Sequence, residues 1–242
     1  MEEKDALEYL ANLANTANEK KITFDKYGSA FLIGDDVHPW HPDTNADEEL
    51  QTHTLQSVVD YAHKLPEDKP YFIHVVSPTL VRVRGFLNGY GERNELLIAQ
   101  PWNIWDKQDE FFDREQLNIM LQSMFVDDEE TDKAILLKFI GNLREENAQT
   151  ASDDGITQKA TMSTGIASQD TVIVPNPVNL RPFRTFTEVK QPESQFVFRM
   201  KQGMQGALFE SDGSAWKNEA IDNIKTYLND NLSELENITI LG

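Results

Sequence analysis

Two histidines three residues apart, His38 and His41, lie in the run Asp36-Val37-His38-Pro39-Trp40-His41-Pro42-Asp43. Imidazole and carboxylate groups are the ligand types of zinc and other divalent ions, so this run is the chain's metal candidate. Two prolines and a tryptophan within it equally describe a rigid surface loop. The remaining histidines, His53, His63 and His74, are not spaced to complete a site, and neither zincin motif occurs. The loop reading is preferred, and no metal or other cofactor is expected.

A second group of candidates is basic. Between positions 181 and 201 stand Arg181, Arg184, Lys190, Arg199 and Lys201 against only Glu188 and Glu193, with Phe183, Phe186, Phe196 and Phe198 interleaved. Guanidinium groups beside aromatic faces suit a groove for single-stranded nucleic acid. The same pattern describes a sheet with Phe inward and Arg outward, or arginines paired with carboxylates of this chain or of a second subunit. With 41 acidic residues present, pairing is the expected use.

Other chemistry is not signalled. The G-x-S-x-G elbow, the phosphate loop ending in G-K-[ST] and the G-x-G-x-x-G turn are all missing. Asn88-Gly89-Tyr90-Gly91 and Asp153-Asp154-Gly155 read as turns, and Asp127-Asp128-Glu129-Glu130 as a solvated run. With no cysteine, thiol nucleophiles, disulfides and iron–sulfur clusters are excluded.

The elements that would carry these residues follow from hydrophobic spacing. Ala6, Leu7, Leu10, Leu13, Ala14 and Ala17 fall on one helical face, and Ile22 to Ile33 is strand-like, broken at Tyr27-Gly28-Ser29. Asp35 to Asp43 is read as a loop. Leu55, Val58, Val59 and Ala62 mark a second helix, ended by Leu65-Pro66. Tyr71–Val76, Val81–Arg84 and Glu95–Ala99 read as an antiparallel meander. Asp113 with Gln116 forms a capping box for a helix burying Leu117, Met120, Leu121 and Met124. A further helix spans Thr131–Asn147, with Ile135, Phe139, Ile140 and Leu143 inward.

Strand signals then dominate: Thr171–Val174, Phe183–Val189, Gln195–Arg199 and Ala207–Glu210. Ser214 is placed as the cap of a last helix with Trp216, Ala220, Ile224 and Leu228 on one side, before a final strand at Ile238–Leu241. The class is α+β, with mixed but mainly antiparallel sheets and about five helices. Residues 1–50 are read as an arm of helix, strand and loop, and 51–242 as the main domain, with a possible sub-boundary near 144–155.

The formal net charge is −19, and residues 1–150 hold 29 acids and 14 bases while 151–242 hold 12 and 8. Such a surface repels phosphate backbones and anionic membranes and favours solubility. An acidic half that docks a basic partner is the sharper reading. The acidic start Met1-Glu2-Glu3-Lys4-Asp5 does not resemble a signal peptide, and no apolar run approaches the roughly 18–20 residues of a membrane span. The expected location is the cytoplasm, without membrane association.

Several segments together resemble the YfdQ-like family of phage and prophage proteins. They are Ile73–Thr79 (IHVVSPT), Leu121–Phe125 (LQSMF), Asp153–Gln158 (DDGITQ), Pro182–Val189 (PFRTFTEV), Gln191–Arg199 (QPESQFVFR) and Leu208–Trp216 (LFESDGSAW). The resemblance covers most of the chain after residue 50 and implies a temperate-phage origin, hence the cytoplasm of a bacterial host. It carries over no catalytic residue. The expected function is that of a non-enzymatic structural or interaction protein that self-assembles into a homo-oligomer. The alternative is a phage accessory factor in DNA replication, recombination or defence evasion, bound to single-stranded DNA or to a basic host protein.

Overall fold

Alternation of apolar and polar residues through Tyr71-Phe72-Ile73-His74-Val75 and Val81-Arg82-Val83-Arg84 requires strands with one buried face. In the computed structural model these segments form the centre of a five-stranded sheet. The structure describes residues 48–88, 91–142, 174–201 and 204–242, and the backbone of six further strands. The chain divides into two compact units, 1–46 with 87–92, and 47–86 with 93–242. In the first unit, β1 (Lys21–Phe24), β2 (Ala30–Ile33) and β3 (Val37–Pro39) make an antiparallel sheet. The expected loop at 35–43 thus contains a strand, with Leu32 opposite His38. The helix expected at 6–17 lies outside the described residues.

The second unit holds the larger sheet, ordered β14-β5-β6-β7-β4. It is built from β4 (Leu50–Thr52), β5 (Tyr71–Ser77), β6 (Leu80–Gly85), β7 (Glu95–Ala99) and β14 (Ile238–Leu241). The meander β5-β6-β7 is antiparallel as its turn residues predict, while each edge strand runs parallel to its neighbour. One face carries Ile73, Val75, Val81, Val83, Leu97 and Ala99 against α1 (Leu55–Ala62) and α4 (Trp216–Leu232). Leu55, Val58, Ile224 and Leu228 are fully buried there, each burial stabilising by about 1.5–3 kcal/mol.

A second core lies under the antiparallel sheet β11-β12-β13, made of Val178–Leu180, Ser194–Lys201 and Gln205–Glu210. Helices α2 (Arg114–Met124) and α3 (Lys133–Asn142) cover it, with Trp105 at its centre. The capping box of Asp113 and Gln116 is present. Gly206 lets α2 approach β13: a Cβ there would stand 2.6 Å from Leu117 Cδ2. The strands β8 (Ser152–Asp153), β9 (Gln158–Ser163) and β10 (Gln169–Ile173) form a separate antiparallel sheet.

The class is therefore α+β, with four helices among the described residues. Three local expectations change. In α3 the inward residues are Leu136, Phe139 and Ile140, while Ile135 is exposed; Leu143 lies outside the described residues. Residues 183–193 form no strand. There the Gln191 side chain replaces a sheet partner, accepting from the amides of Arg184 (2.9 Å) and Thr185 (3.2 Å) and donating to the Phe186 carbonyl (2.9 Å). Ser214 does not cap α4; it adopts φ 65°, and its amide donates to Asp212. None of the helices among the described residues is long and apolar enough to cross a membrane.

Candidate functional site

The start of β12, the end of β13 and the start of α4 converge on Arg184, which is 3% exposed. Its Nη2 donates to Ser194 Oγ at 2.5 Å and its Nη1 to Glu210 Oε2 at 3.4 Å. The guanidinium carbon lies 3.9 Å from the Trp216 ring centre, and Trp216 Nε1 donates to Glu210 Oε1 at 3.1 Å. Ser194 Oγ in turn donates to Asp212 Oδ2 at 2.5 Å. A network of this kind fixes each side chain through at least one other.

The electrostatics follow from burial. Loss of water pushes the Arg184 guanidinium down to about 10, partly offset by Glu210, Asp212 and Glu219, so it stays charged at neutral pH. Burial, then the neighbouring Asp212, raises the Glu210 carboxyl. Burial acts in the same direction on Asp212, but hydrogen bonds from Ser194, Glu210 and the Ser214 amide, with Arg184, outweigh it and hold that carboxyl low. The Ser194 hydroxyl is tied to an arginine and a carboxylate rather than to an imidazole, so it does not form the Ser–His pair of a typical serine nucleophile.

The other basic candidates are dispersed. Arg181 pairs with Asp128, with Glu130 at 3.1 Å and with Glu193 at 3.2 Å. Lys190 is exposed and contributes its backbone carbonyl to Asn223. Arg199 and Lys201 project from the same side of β12, with Lys201 Nζ 4.1 Å from the Phe111 ring centre. Arg181 and Arg184 thus serve as internal links, and the segment presents no continuous basic face. His38 lies in β3, and His41 lies outside the described residues. Among the described residues no group of three His, Asp or Glu side chains could hold a metal.

A different basic and aromatic cluster lies on the face of the five-stranded sheet away from α1 and α4. Phe72 and Phe86 stack with ring centres 4.0 Å apart, and the Arg93 guanidinium sits 5.1 Å from the Phe72 ring. Arg82 and Arg84 share Glu95 as their carboxylate. The strict alternation of Val81 to Arg84 signals this face in the sequence, but Arg93 joins it only through the fold.

The sheet also ends in an unusual edge. Strand β14, Ile238-Thr239-Ile240-Leu241, carries no charge and no proline, and among the described residues no strand pairs with its outer side. Leu241 is 43% exposed, as is Val76 at 41% on the neighbouring strand. Comparison with protein-family models, with curated proteins and with solved structures finds no match to this chain.

Proposed function

We propose that this chain is a phage-encoded, non-enzymatic interaction protein that self-associates into a homo-oligomer in the cytoplasm of its bacterial host. The phage origin rests on the resemblance of the segments quoted above. Self-association rests on β14. Edge strands are ordinarily blunted by lysine, proline, a bulge or a covering element, because their outward amides and carbonyls template another strand. The sequence of β14 has no lysine and no proline, and its register with β5 is regular over all four residues. The partner that fits is a second β14, since an isologous pairing of identical apolar strands closes with two-fold symmetry.

Light scattering on a sizing column tests this, with Leu241→Lys as the variant. Leu241 is exposed, so the substitution places a charge on the edge without opening the core. The wild-type mass is expected at a defined multiple of 27.6 kDa, and the variant at a smaller multiple. A monomeric wild type would sink the proposal. Nucleic acid in the peak, read from the 260/280 nm ratio, would instead favour the accessory-factor reading, with single-stranded DNA on the face of Phe72, Phe86 and Arg93.

A further inference from the structure

A cavity of about 640 Å³ opens within the second unit, where the parallel strands β4 and β7 both end. Its size falls in the range of about 300–1,000 Å³ typical of small-molecule sites. Thr52 closes β4, Thr54 caps α1, Pro101-Trp102-Asn103 follows β7, Ser123 and Met124 end α2, and the loop around Phe183 to Thr187 completes the wall. We propose that this cavity binds a neutral saccharide through the exposed ring of Trp102.

Charge carries the first part of the argument. About a quarter of the chain's residues are charged, yet the lining contains no Asp, Glu, Lys or Arg. The feature of the wall suited to an anion is the α1 N-terminus, where helix amides point outward. Those amides are already taken: Leu55 and Gln56 donate to Glu188 Oε1 at 2.7 and 3.3 Å, and Ser57 to Thr54 Oγ1 at 3.2 Å. A phosphate or carboxylate would meet Glu188 there, and with no Asp or Glu in the lining a cation finds no counter-charge within it, so an uncharged occupant fits best.

Shape and polarity carry the second part. Trp102 is 69% exposed, the most exposed of the large apolar side chains described. It is nevertheless held in place, with its ring centre 4.2 Å from that of His53. His53 is fixed by its Nδ1 bond to the Gln100 carbonyl at 2.8 Å. A carbonyl only accepts, so Nδ1 carries the proton, and in the neutral ring Nε2 is left as an acceptor. An indole face supplies a flat apolar surface for the C–H face of a sugar ring. Elsewhere in the lining, the hydroxyl of Thr52 and the side-chain amide of Asn103 can both donate and accept. The hydroxyls of Ser57, paired with Thr54 at 2.8 Å, and Thr187, which donates to Glu188 at 3.5 Å, keep lone pairs to accept, a mixed set that suits sugar hydroxyls. A nucleobase would also stack on an indole, but in a nucleotide or a strand it brings phosphate, and no Lys or Arg in the lining could neutralise it.

The full-length protein should be applied to an array of neutral, sialylated and sulfated glycans. The best ligand is then titrated by calorimetry, with adenosine and thymidine in parallel. Neutral glycans should be retained in preference to acidic ones. Trp102→Ala should weaken the dissociation constant by about tenfold or more, as removal of a tryptophan anchor commonly does. Thr187→Val, at a second exposed position, should weaken it by a smaller factor. Retention of no neutral glycan, preference for acidic ones, an unchanged constant in Trp102→Ala, or binding of a nucleoside alone would each overturn the proposal.

Discussion

Arg184 shows how one buried charge can organise three elements. It touches Ser194 at the start of β12, Glu210 at the end of β13 and Trp216 at the start of α4. Replacing it with methionine keeps the apolar stem and removes the cation, leaving Glu210 and Asp212 without their shared counter-charge. Breaking a buried pair on one side is costly, so Arg184→Met should lower unfolding free energy by about 3 kcal/mol, read as an earlier urea midpoint. Adding Glu210→Gln should recover part of that loss, because a neutral amide needs no counter-charge. The sequence marks Arg184 only as one of five cations. Its partners Ser194, Glu210 and Asp212 are distant along the chain, and no local spacing links them.

At the scale of elements, much of the fold is legible because period and capping agree. The α1 stripe Leu55, Val58, Val59 and Ala62 is buried as its spacing dictates, and Asp113 with Gln116 starts α2. The failures have physical causes. In α3 the stripe is displaced because Lys133 turns inward, its Nζ donating to the Phe125 carbonyl at 2.9 Å, and hydrophobicity alone cannot distinguish Ile135 from Leu136. Phe183–Val189 reads as a strand, yet the Gln191 side chain takes the amides of Arg184 and Thr185 in place of a neighbouring strand. The cavity of Trp102 has no local signature in the sequence, since its walls come from four separate stretches. One helix junction gives a pH prediction. His63 donates to the Val59 carbonyl at the end of α1 and to Glu234 after α4, and these bonds, in that order, raise its imidazole. A raised folded value means stability that is fully present below about 6.5 and lost as pH rises through the folded value. Wild-type stability should therefore fall as pH rises above about 6.5, and His63→Gln should flatten that decline in urea titrations.

For the whole molecule, charge and association oppose each other. Two copies that each carry −19 repel, and only an uncharged contact such as β14 lets them meet with little added desolvation. Screening should therefore control assembly. The native mass should rise as salt increases from about 0.01 M to about 0.15 M, where the Debye length shortens from about 30 Å to about 8 Å. A mass independent of salt would argue against apolar edges brought together across a repulsive field. The same strand has a bearing on synthesis. The meander β5-β6-β7 is local and can pair as soon as residue 99 has left the ribosome, but on its outer side Tyr71 pairs with Ile238. Contacts this distant are slow to form. Until residues 238–241 emerge, the outer edge of β5 stays unpaired on the nascent chain. During that interval Tyr71–Ser77 is the segment that a chaperone, or a neighbouring nascent copy, would reach first.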